Sequence, residues 1–181
     1  MTWKAFHNRG ETLRSVIATA AVRKDGILPM DLDGVSETFR DELDLLSALQ
    51  LKWHTRLSGN IERQMLSQPM DLEQRVVLGW RQTADELVGV RLILDNYCAN
   101  PIDEAMAHAV RIATAKEHQY LAVMAGRSGL DDATSTRIGA DIEAWGRDLH
   151  RGVAGVIVPA DDEQPEPRGS LIERLRAVLA A

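Results

Sequence analysis

A single cysteine, Cys98, leaves the chain without any intramolecular disulfide and fits a reducing compartment. Alternating apolar and polar segments and β-branched runs are scarce, so strands are not expected. No apolar run approaches the roughly 18 residues that a membrane span requires, and no secretory signal opens the sequence, which places the protein in the cytoplasm. Catalytic signatures are missing as well. There is no G-x-S-x-G elbow, no S-x-x-K, no Walker glycine loop and no G-x-G-x-x-G, and Gly126-Arg127-Ser128-Gly129 reads as a turn. None of the five histidines completes a Glu-x-x-His, and no two lie three or four apart, so the usual helical iron and zinc arrangements have no ligands and neither a metal nor a cofactor is expected.

What is present is a chain of 181 residues, 45% hydrophobic and 27% charged, enough for one domain to bury a core without a staple. Its formal net charge of −6 opposes bulk binding to a phosphate backbone, which is driven by many Lys and Arg, so nucleic acid is an unlikely partner. The charge is uneven. Residues 1–24 carry five basic side chains against Glu11, and such a run is expected to lie as a solvated helix beside the acidic remainder.

The spacing predicts an all-α fold. Its centre is residues 36–66, without proline, where Phe39, Leu43, Leu46, Gln50, Trp53, Leu57, Ile61 and Met65 recur at steps of three and four. Leu45 and Leu49 widen this stripe and imply neighbours on more than one side. Before it, 1–24 reads as a helix that restarts at Asn8, spaced from Glu11 as a capping box, and ends at Gly26. After it, 72–98 is one helix led by Asp71 and Gln74, in which Gly79 and Gly89 cost stability unless a neighbouring helix needs their missing side chains. A helix over 101–125 is expected with Asn100 as cap and Pro101 at its first position. Another, over 132–151, starts at Asp131 or Asp132 and turns Ile138, Ile142, Trp145 and Leu149 inward. Short loops between long helices predict an up-down-up-down four-helix bundle within 1–152, with the N-terminal helix as an accessory.

Beyond it, 153–169 is an apolar strip followed by a proline-rich acidic linker, and 170–181 reads as a short amphipathic helix, with Leu171, Leu175, Val178 and Leu179 on one side. The triplet Gly169-Ser170-Leu171 is similar to the tail peptides that load cargo into encapsulin shells, a three-residue likeness on which no family assignment rests.

Candidate ligand-binding residues are the polar groups that neighbour the central stripe: Gln50, Trp53 and His54 there, Glu86 on the following helix, and Glu117 with His118 on the next. The four tryptophans fall on four helices at apolar positions, as core residues do. Cys98 stands at a helix C-terminus, a poor place for a thiolate nucleophile. With every catalytic motif absent and an amphipathic terminal segment left over, the expected function is protein–protein interaction or self-association through Leu171, Leu175, Val178 and Leu179. The alternative is a small-molecule or metal pocket near His54.

Overall fold

The computed structural model describes residues 3–67, 71–129 and 134–152, the side chains of residues 3–8 and of Ser67 excepted. Among these residues there are seven helices packed on one another and no strand. Helix α1 is Trp3–Arg23, unbroken at Asn8. It ends one step earlier than the glycine signal implied: Lys24 already takes a left-handed backbone (φ 52°), and Gly26 follows with φ 73°. The loop behind it is held down rather than free. Arg23 grips Asp31 with two bonds of 2.7 Å, and the Gly26 carbonyl accepts from Asn96 Nδ2 at 3.0 Å.

The expected central helix is broken near its start. Helix α2 covers only Val35–Thr38, Phe39 is extended (φ −114°, ψ 130°), and α3 runs Glu42–Ser67. Two interactions, one tertiary and one local, defeat the continuous periodicity. Phe39 is buried with the Arg9 guanidinium 4.3 Å above its ring, which an uninterrupted helix would have to surrender. Asp41 then caps the new helix, its Oδ1 accepting from the Asp44 amide at 2.7 Å. From there α3 passes straight through Ser58 and Gly59 and buries Leu45, Leu46, Leu49, Trp53, Leu57 and Ile61.

The helix predicted over 72–98 is likewise two: α4, Leu72–Glu86, with Asp71 accepting from the Gln74 amide at 3.0 Å as its spacing predicts, and α5, Val88–Ala99. They meet at Leu87 (φ −124°, ψ 38°). Thr83 Oγ1 donates back to the Gly79 carbonyl at 2.7 Å, a bond that bends helices. Past the bend, α5 leans on α1 so closely that a Cβ on Gly89 would stand 2.2 Å from the Ala20 carbonyl carbon. The two glycines thus meet the condition that the sequence set, Gly79 against Ile61 and Gly89 against Ala20. Helix α6 is Glu104–Met124, capped by Asp103 rather than Asn100, with Asp103 Oδ1 2.8 Å from the Met106 amide. Helix α7 is Ser135–His150; the start expected at Asp131 or Asp132 falls outside the described residues.

The main packing pairs are α3 with α4, α6 with α7, α4 with α7, and α1 with α5. Helices α3 and α4 run antiparallel, with Asn60 bonded to Thr83 and Gln64 to Gln82. Helix α4 lies beside α7 pointing the same way, since Gly146 sits on Trp80 and His150 on Asp85. The core centres on Trp53 and Trp80, both buried, their rings edge to face at 5.7 Å. Trp145 is only half-buried, at the margin of the same core, and the side chain of Trp3 is outside the description.

Candidate functional site

Two regions combine unusual chemistry with access to solvent. The first is a charged cleft of about 230 Å³ whose wall joins α3, α5, α6 and α7. At its floor Trp53 Nε1 donates to Glu117 Oε1 at 3.1 Å, and Gln50 Nε2 reaches the other oxygen at 3.4 Å. Arg91 lies 3.6 Å from Glu117 and covers the Trp53 ring at 4.8 Å. It also binds Asp95 at 2.6 Å, and Asp95 in turn accepts two bonds from Arg147, at 2.6 and 2.8 Å. Arg147 continues to Glu143 (2.7 Å), which ends on His118 Nε2 at 2.6 Å. The ladder therefore alternates in sign across three helices, α5, α6 and α7, and each carboxylate has a cationic neighbour, the condition under which buried charge is tolerated.

Its electrostatics follow from that alternation. Burial opposes the charge on Glu143, yet the hydrogen bond with His118 and the fields of Arg91 and Arg147 outweigh it and hold the carboxyl at about 2. Asp95 is lowered for the same reason, burial being overcome by the bonds from Arg147 and Arg91. The bond to Asp95, against the opposing effect of burial, raises Arg147. His118 is placed by close backbone packing: α7 crosses α6 at Gly139, where a Cβ would come within 1.9 Å of the His118 carbonyl oxygen. Such a wall ties helices together. Among the described residues each carboxylate of this wall has a donor, and no basic group is bonded to Cys98, which also lines it. Among the described residues no group of three His, Cys, Asp or Glu side chains is placed to hold a metal ion.

Of the residues singled out by sequence, the structure brings Gln50, Trp53, Glu117 and His118 together here. His54 is elsewhere, its ring edge-on to Tyr120 at 5.1 Å. Glu86 is also apart, accepting from Arg56, Asn60 and Gln82 on the opposite flank of α3. Leu171, Leu175, Val178 and Leu179 lie outside the described residues, as does the Gly169-Ser170-Leu171 triplet. Arg91, Asp95, Glu143 and Arg147 were missed. Their only trace in the sequence is two i, i+4 pairs, Arg91 with Asp95 and Glu143 with Arg147, and that spacing equally describes a solvated helix face.

The second region is apolar. Between α1 and α3 runs a groove of about 390 Å³ whose walls include Gly10, Leu13, Ala48 and Leu51, and between α3 and α6 another of about 200 Å³ with Leu43, Ala109, Val110 and Ala113. Ser47 borders both, so they lie side by side along one exposed strip of α3. Leu51 on that strip is 67% exposed. Arg9, paired with Asp44 at 2.8 Å, closes one end. No family model matches this chain, and neither a curated protein nor a solved structure matches it.

Proposed function

We propose that this chain is a non-catalytic cytoplasmic protein that acts through protein–protein contact, self-association foremost, at the face that α3 presents between α1 and α6. The supporting observation is the pair of adjoining apolar grooves that share Ser47 and expose Leu51. An isolated exposed leucine needs no explanation, but an exposed leucine lining one of two adjoining apolar grooves is the composition of an interface. The walls are rich in small residues, Gly10, Ser47, Ala48, Ala109 and Ala113, which let a helix approach closely. In this reading four rods, α3, α4 with α5, α6, and α7, run up-down-up-down as the scaffold, α1 is the accessory that completes the face, and the terminal segment is tethered beyond it. The partner is a protein rather than nucleic acid, given the acidic balance of the chain. The test is mass by light scattering at rising protein concentration: the wild-type mass climbs toward that of a dimer, and Leu51→Lys holds it at one chain. A wild-type chain that stays monomeric and binds no protein through this face contradicts the proposal.

The charged cleft favours a second reading, a small-molecule pocket built from Gln50, Glu117 and His118 with Arg91 and Arg147, since its ionic wall opens to solvent instead of being sealed. Metal analysis of purified protein and thermal-shift screening with small polar molecules separate the two. A stoichiometric transition metal that survives removal of any affinity tag, or a ligand whose stabilisation disappears in Gln50→Leu, moves the second reading ahead.

A further inference from the structure

We propose that the occupant of the face between α1 and α6 is the chain's own terminal segment, with Leu171, Leu175, Val178 and Leu179 laid into the two grooves on either side of Ser47. The inference rests on reading that face as an interface and adds what fills it. Three observations support the assignment. The chain continues for 29 residues beyond Gly152, the last described position, and ends in the one amphipathic segment that the described helices do not use. The chemistry suits it: the segment gathers Leu171, Leu175, Val178 and Leu179 at helical spacing on one side, and the strip it would meet, Leu43, Ser47 and Leu51, is flanked by the two apolar grooves. The distance is within reach. Helix α7 ends against α4, where His150 bonds to Asp85, and α4 packs on α3 but lines neither groove, so the path past α3 is on the order of two helix spacings, or 20 Å. The seventeen residues 153–169 extend about 23 Å as a flexible coil.

Tethering then supplies what a short segment lacks. A helix of about a dozen residues is marginal alone and gains its order from the surface it covers. At an effective concentration of about 1 mM, a contact with a dissociation constant of about 100 μM is filled roughly nine times in ten within one molecule. As the protein concentration approaches the same range, segments exchange between two copies through the identical contact, which makes self-association a by-product of the docking.

The experiment uses the full chain with Cys98→Ser as background, pairing Leu175→Cys with Ser47→Cys in the groove, or with Gln119→Cys on an exposed position of α6 as control. Under mild oxidation the Ser47→Cys pair is expected to form a disulfide about tenfold faster than the control. The bond forms within one chain in dilute protein and between two in concentrated protein; either product places the segment in the grooves. Equal rates for the two pairs overturn the assignment. Light scattering on a chain lacking residues 160–181 separates this failure from that of the interface itself. If the truncation leaves the mass unchanged while Leu51→Lys lowers it, the face joins two bundle bodies and the terminal segment is not its occupant.

Discussion

The indole nitrogen of Trp53 donates to Glu117 at 3.1 Å, and this bond joins the apolar core to the charged ladder: the ring packs edge-on against Trp80 while its N–H orients a carboxylate on a different helix. Trp53→Phe keeps most of the packing and removes the donor. It is expected to cost roughly 1–3 kcal/mol, the penalty of leaving a buried polar group short of a partner. Trp53→Ala and Trp80→Ala, which empty fully buried sites, are expected to cost about 3–5 kcal/mol each. Trp145→Ala costs less, because its side chain is only partly buried at the margin of the core. Thermal melts rank the four, and a Trp53→Phe protein as stable as wild type removes any energetic role for the bond.

Helix α7 reaches the ladder only because Gly139 lets it touch the backbone of His118. A Cβ there has no room, so Gly139→Ala forces α6 and α7 apart and is expected to destabilise by several kcal/mol. Gly59, also within a helix, has no atom within 4 Å of where its Cβ would lie. Gly59→Ala is therefore expected to stabilise by up to about 1 kcal/mol through helix propensity alone. Denaturant melts of the two variants should move in opposite directions; a shift of the same sign in both contradicts the packing at the α6–α7 crossing.

Acid should act on the same crossing. The Glu143 carboxyl titrates at about 2 in the folded chain against 4.5 ordinarily. Its contribution is complete above about pH 4.5 and is lost as the pH falls toward 2, on the order of 3 kcal/mol in all. Asp95, also lowered, adds to the loss in the same direction. Unfolding free energies measured between pH 5 and 2 are expected to fall steeply in wild type and more gently in Glu143→Gln, which starts lower at neutral pH. Parallel curves for the two proteins contradict the assignment.

The start of α3 is capped by one short side chain. Asp41→Ala removes the acceptor for the Asp44 amide and is expected to cost about 1 kcal/mol. Hydrogen exchange localises the effect: amides 42–45 should exchange faster while those near Trp53 keep their protection. Uniform acceleration along α3 would mean that the cap governs the whole helix.

These particulars show where the sequence was legible. Periodicity identified the buried face of α3, because Leu46, Trp53, Leu57 and Ile61 repeat at the pitch of a helix whatever packs on them. It did not reveal the interruptions at Phe39 and Leu87. Both residues keep the apolar pattern in phase across the break, and what ends the helix is tertiary: the guanidinium of Arg9 over Phe39, the backbone of Ala20 against Gly89. Half of the charged cleft was readable, since Gln50, Glu117 and His118 sit on the flank of apolar stripes. Arg91 and Arg147 were not, because an arginine four residues from an acid on a helix reads as surface until a second helix covers it. His54 was singled out for its place beside Trp53, but one step around the helix turns it toward Tyr120 instead.

The central claim, that the exposed strip of α3 is an interface, is tested most directly by the solvent reactivity of Leu51. Within the described residues Leu51 is 67% exposed, comparable with Val22 at 84% and Leu66 at 86%, neither of which lines the two grooves. Hydroxyl-radical oxidation of the full chain, quantified residue by residue across a range of protein concentrations, compares the three within one sample. If the strip is covered, by the terminal segment or by a second copy, Leu51 reacts several-fold more slowly than Val22 and Leu66, and truncation at residue 160 together with dilution restores it. Reactivity of Leu51 in proportion to its exposed area at every concentration would contradict the account.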